Sequence, residues 1–210
     1  ERNANFSGTR EALGNQGRLP PPLSHVGAKL KPEWIAEVLL RGKRQREYLD
    51  ASMPQFGEAN VGHLVNLFAK VDKLEAVTIP KIANIKESKS AGYEMMGTTG
   101  FSCIACHDFN GQKAGGAGAL DIVHVTDRLQ KNWFHLYMRN PARFHSTVIM
   151  PSYWPGGQSI RPNLLKGDTD QQIEALWTYL LDGPRAKKPK GLSRQSAEIR
   201  VTDVAEIARG

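Results

Sequence analysis

Apolar residues recur at helical steps in several stretches of the chain. From Asp170 to Leu181, the residues Ile173, Leu176, Trp177 and Leu180 fall at three- and four-residue intervals and form a stripe one face wide. This predicts a helix capped by Asp168 or Thr169 and stopped by Gly183-Pro184. Asp127 to Asn140 carries a similar stripe of Leu129, Trp133, Leu136 and Tyr137, ended by Asn140-Pro141. Residues 92–100 read as a short helix closing in Gly97-Thr98-Thr99-Gly100, and Leu64, Val65, Leu67, Phe68 and Val71 as a helix ending at Asp72. Alternation of the β kind stays within a few positions until Glu198-Ile199-Arg200-Val201, which reads as the start of a strand. The pattern therefore predicts a mainly α fold. A stripe at helical spacing is more often plain core than a cofactor box, so it gives no function by itself.

The same pattern occurs twice. Residues 23–72 contain His25-Val26, Leu30, Trp34, Met53-Pro54 and a helix ending at Asp72; residues 123–182 contain His124-Val125, Leu129, Trp133, Met150-Pro151 and a helix ending at Asp182. Order and approximate spacing agree, which predicts that the first third repeats the back half of the later unit. The predicted organisation is a degenerate repeat at 1–78, a linker at 79–89, a principal unit at 90–183 and a basic tail at 184–210. A half-unit of this size buries too little surface to fold alone, so its apolar stripe is expected to pack on the principal unit.

Composition narrows the function classes. The chain has 210 residues, 28 basic and 21 acidic, for a net charge of +7, and a mean hydropathy of −0.43. Residues 90–183 carry 7 basic and 8 acidic residues, whereas residues 184–210 carry 7 and 3. The excess sits at the ends, so a solvated tail with Arg185, Lys187, Lys188, Lys190 and Arg194 is the expectation, with no nucleic-acid groove. The most apolar stretch, near Trp34 to Leu40, is broken by charge, which predicts no transmembrane segment. The chain opens at Glu1 without an initiator methionine or a basic-then-apolar leader, the pattern of a processed or excised piece.

Both cysteines fall in Cys103-Ile104-Ala105-Cys106-His107, a C-x-x-C-H string. Two thiols about one helical turn apart can add to the two vinyl groups on one porphyrin edge, and the adjacent imidazole can bind the iron. A thioredoxin-like dithiol would open a helix directly after a strand, and a zinc site would need further ligands that no second Cys pair or H-x-x-x-H supplies. Covalent haem c, one per chain, is the first reading, with a dithiol second. Met150 is the candidate sixth ligand, because Met150-Pro151-Ser152-Tyr153-Trp154-Pro155 is an irregular stretch whose prolines bar a helix. Met95, Met96 and Met138 sit in helical contexts as core filler. Of the competing histidines His124, His135 and His145, the last is the one to test. Met53, without a cysteine pair before it, reads as a packing residue or vestige.

With these motifs in order, residues 90–183 resemble a class I cytochrome c domain: a helix with Gly92 and Tyr93, the motif at 103–107, a Gly-rich loop from Gly111 to Leu120, a helix at Trp133, Met150-Pro151 and a closing helix. The resemblance implies His107 and Met150 as axial ligands, first and last helices crossing near the haem edge, and single-electron transfer without catalysis. Such domains often carry Gly-Pro-x-Leu after the motif, with the proline carbonyl orienting the proximal imidazole; this chain reads Gly118-Ala119-Leu120, so another carbonyl must serve. The tail resembles, more weakly, the joins of cytochrome modules fused to dehydrogenase-like proteins in bacteria. The implied partner is then a redox protein or fused dehydrogenase domain, and the implied location is the periplasm or another extracytoplasmic space. The alternative is a haem enzyme or sensor with open or weakly ligated iron, such as a peroxidase.

Overall fold

The structure, a computed structural model, describes residues 6–145 and 147–192. Eight α-helices and no strand occur among them: α1 (Val26–Lys29), α2 (Pro32–Arg41), α3 (Glu58–Val71), α4 (Ile85–Met96), α5 (Val125–Arg128), α6 (Lys131–Arg139), α7 (Pro141–Phe144) and α8 (Thr169–Leu180). The mainly α expectation therefore holds. The strand start at Glu198 to Val201, and Arg194, lie outside the described residues.

α8 follows its periodicity closely. The Asp168 carboxylate accepts from Gln171 N and caps it, and Ile173, Leu176, Trp177 and Leu180 are buried. α4 crosses this face. A Cβ on Gly92 would collide with the Ala175 carbonyl and with Tyr179, so only glycine admits this approach. α4 begins at Ile85, capped by the Asn84 side chain, inside the stretch read as a linker. Its polar Lys86-Glu87-Ser88-Lys89 hides the start, because only one narrow face is buried, at Ser88, Ala91, Gly92, Met95 and Met96.

The predicted 127–140 helix is two helices. Leu129 and Gln130 leave helical geometry to pair with the N-terminal unit: Leu30 and Leu129 form an antiparallel bridge, flanked by Lys31 N to Arg128 O and Gln130 N to Lys29 O, each 2.8 Å. Tertiary hydrogen bonds outweigh local propensity there. α6 then runs to Arg139, and Pro141 opens α7.

α1 and α2 pack against α3. None of the α3 residues is fully buried. Its stripe is half-covered by its own unit and does not lie on the C-terminal unit as expected. Contact between units runs instead through the Leu30–Leu129 bridge, the Asn132 side chain bonded to Val77 N and Glu75 O (both 2.9 Å), and the Arg143–Glu75 ion pair. Met53 is exposed, so it is not a packing residue. The tail's Arg185, Lys187, Lys188 and Lys190 are exposed as expected, yet its backbone folds back: Ala186 is buried, and Lys190 O accepts from Thr98 N at 3.0 Å. No described helix is long and apolar enough to cross a membrane.

Candidate functional site

The motif forms a single 3-10 turn, Cys103–Ala105, directly after the buried Phe101. His107 N and Cys106 N both donate to Cys103 O, at 2.9 and 3.2 Å. Cys103 is buried, Cys106 is exposed, and both are free thiols. Burial pushes the Cys103 thiol up to about 12, the reverse of the lowered pKa that a redox dithiol needs for attack. The turn also follows no strand. Among the described residues no group of three or more His, Cys, Asp or Glu is placed to hold an ion, so the zinc alternative gains no ligands from the fold.

His107 Nδ1 lies 2.9 Å from Leu120 O. A carbonyl can only accept, so Nδ1 carries the proton and Nε2 keeps its lone pair for a metal. Burial lowers the imidazole pKa, against the opposing effect of that hydrogen bond, so the ring is neutral near pH 7. Leu120 O thus stands where the resemblance expects a carbonyl acceptor for this imidazole. The loop is held by Asp108, whose buried carboxylate accepts from Ala114 N and Lys113 Nζ, both at 2.9 Å, and from Arg10 of the N-terminal unit at 3.2 Å. Asp121 does the same for the next turn, accepting from Asn110 N and Gly111 N.

Met150 is half-buried against the same core that contains Cys103. Its loop is brought to the motif by aromatic packing: Tyr153 stacks on Phe101 with centroids 4.7 Å apart, and Trp154 meets Phe101 edge-on at 5.0 Å. Burial raises the Tyr153 pKa well above its ordinary value, so the phenol stays neutral beside Phe101. Gln172 on α8 anchors the loop from below. Its Oε1 accepts from Trp154 Nε1 at 2.8 Å and from Ser159 Oγ at 2.6 Å, while its Nε2 donates to Arg161 O and Leu164 O.

The other histidines have separate roles. His135 is fully buried and bonds Glu174 through Nε2 at 3.0 Å, His124 pairs with Asp127, and His145 Nδ1 is 3.1 Å from Thr147 Oγ1.

Three cations that the sequence did not single out act on one another, and one of them on His107. Arg128 adds to the lowering of the His107 pKa, and Arg46 acts on Arg128. Burial, then Arg128 and Arg46, bring Lys29 down to about 7, and its Nζ stands 4.8 Å over the Trp133 ring. None of the three forms an ion pair among the described residues. Arg128 Nε and Trp133 Nε1 are buried donors without a partner among the described residues. Buried donors and unpaired positive charge are costly unless a ligand supplies acceptors. A haem carries two carboxylates, so the residues present fit that group at three places: the free thiols, the free Nε2 of His107, and the unpaired donors of Arg128 and Trp133. The only advance signal was basic residues at matching places in the repeat, Lys29 and Arg128.

A separate cleft between residues 81–88 and 165–171 contains none of these side chains. Comparison with family models, curated proteins and solved structures finds no match to this chain.

Proposed function

We propose that the C-terminal unit is a c-type cytochrome module that carries one covalent haem and passes single electrons. The observation that supports this most strongly is the His107–Leu120 hydrogen bond inside a C-x-x-C-H turn whose two thiols are free. Cys103 and Cys106 would hold the group by thioether bonds to its two vinyl positions, each addition taking up the thiol's own proton, so attachment would need reduced cysteines and no oxidant. His107 Nε2 and the Met150 thioether would hold the iron. The haem iron, when bound, cycles between ferric and ferrous states, and thioether ligation favours the ferrous one. Arg128, Lys29 and Arg46 would offset the charge of the carboxylates, and Trp133 Nε1 would donate a hydrogen bond to one of them. The module performs no catalysis; its partner is a redox protein or a fused dehydrogenase domain. Thioether assembly is carried out outside the cytoplasmic membrane in bacteria, so the module belongs in the periplasm or another extracytoplasmic space.

The optical spectrum tests the ligation. The ferric protein is expected to show the weak Met–iron band at the red end of the visible range and no response to carbon monoxide when reduced. A high-spin spectrum that shifts with peroxide or carbon monoxide contradicts it and favours a peroxidase-like or sensing site.

A further inference from the structure

Residues 7–19 precede the two matching stretches of the chain and form a closed loop. Gly8 and Leu49 make an antiparallel bridge, flanked by Thr9 N to Tyr48 O at 2.9 Å and Asp50 N to Ser7 O at 3.1 Å, which fastens the start of the loop to the N-terminal unit. The backbone then turns through Glu11–Gly17, where Leu13 is buried and its N–H donates to Arg10 O at 3.0 Å. A Cβ on Gly8 would run into the Gly17 carbonyl, and one on Gly17 into the Arg10 carbonyl. The two ends of the turn therefore meet backbone to backbone, which only glycine allows.

From this anchor the loop reaches the C-terminal unit at two places. Arg10 Nη2 lies 3.2 Å from the carboxylate of Asp108, the residue after His107, and the guanidinium fills the space over Gly118 into which any side chain would project. The stretch from Gly118 to Leu120 lies directly on the motif: His107 and Ala119 form a parallel bridge, Ala119 N donates to Cys106 O at 2.6 Å, and Leu120 O accepts from His107 Nδ1. At the other end Gln16 Nε2 donates to Thr147 O at 3.0 Å, in the segment that leads into Met150. Asp108 is 5% exposed, and of its two cations Arg10 is the more sheltered, its side chain 24% exposed against 64% for Lys113. A buried carboxylate beside the imidazole is costly once a partner is removed, so Arg10 holds the turn that follows His107. We propose that the 7–19 loop is a clasp between the segments carrying the two axial ligands, with Arg10 a positioning residue for His107 and Gln16 one for Met150.

This inference rests on the haem reading of the C-terminal unit. It is tested by titrating the ferric, haem-loaded full chain with imidazole, which competes with Met150 for the iron and so reads how firmly the two segments are held together. Gln16→Ala is expected to tighten imidazole binding about fivefold, the size of one neutral hydrogen bond, and Arg10→Ala roughly tenfold or more, that of a charge-assisted one. Arg10→Lys should restore most of the parent affinity. Arg10→Ala should also lower the reduction potential, because the Asp108 charge it leaves unbalanced favours ferric iron. The double variant should gain less than the product of the two singles, since either break releases the same bridge. Unchanged imidazole affinity in both single variants, or a double variant equal to the product, overturns the clasp. A chain that attaches no haem sinks the cytochrome reading alone, because hydrogen exchange of the haem-free chain still tests the clasp. Gln16→Ala should then speed exchange at residues 114–120 and Arg10→Ala at residues 147–150, in each case at the far end of the loop. Exchange unchanged at both far ends overturns the clasp with or without haem.

Discussion

Replacing Met150 by alanine is expected to leave the haem attached and to lower its reduction potential by a sizeable part of the ~0.8 V span that axial ligands command. On the proposed reading attachment would survive, because Cys103 and Cys106 would hold the porphyrin edge independently of the iron. The potential falls because the thioether stabilises ferrous iron and its loss leaves water or a harder donor. The Phe101–Tyr153–Trp154 packing and the Gln172 anchor keep the loop in place, so the change stays local. His107→Ala is the more damaging substitution, since it removes the imidazole that Leu120 orients. Cyclic voltammetry and the ferric spectrum read both. An unchanged potential in Met150→Ala, with His145→Ala altering it, assigns the distal position to histidine.

Glu174→Ala is expected to cost about 3–5 kcal/mol, the range for removing one partner of a buried ion pair. At this chain length that lowers the melting temperature by roughly 10 °C. The buried Glu174 carboxylate accepts from Lys131 Nζ at 2.6 Å and His135 Nε2 at 3.0 Å. His135 Nδ1 already has no partner, so truncation leaves the imidazole wholly unpaired between α6 and α8. Burial alone would raise the Glu174 pKa, but the hydrogen bonds from His135 and Lys131 outweigh it and hold the group below its ordinary value. A depressed carboxylate contributes stability that is complete above its unfolded pKa of about 4.3 and is lost as pH falls through the folded value. Unfolding of the parent chain followed between pH 3 and 7 should therefore weaken more steeply below about pH 5 than that of Glu174→Gln. Equal slopes would show that the pair contributes nothing.

The features legible in the sequence were those written in neighbouring residues. The α8 stripe and its Asp168 cap, the Cys103–His107 spacing and the Met150-Pro151 break each lie within a dozen positions, where helix period, thiol spacing and proline geometry act directly. The break at Leu129–Gln130 was hidden because its cause is Leu30, far away in the chain. The start of α4 was hidden because a helix buried along one narrow face needs few apolar residues. The cation cluster was the least visible part of the site. Lys29, Arg46, Arg128 and Trp133 come from separate segments of two units, and each alone looks like an ordinary charge or core aromatic. The repeat was legible as an order of motifs, but its bare α3 face was not, since exposure depends on what packs against a helix.

The most direct measurement is the intact mass of the full chain produced where c-type haem ligation operates. A mass equal to the polypeptide plus one haem, retained after denaturation and lost in the double variant Cys103→Ala and Cys106→Ala, is the predicted result. A polypeptide mass without haem, with both thiols free to react with alkylating reagent, would contradict the cytochrome account.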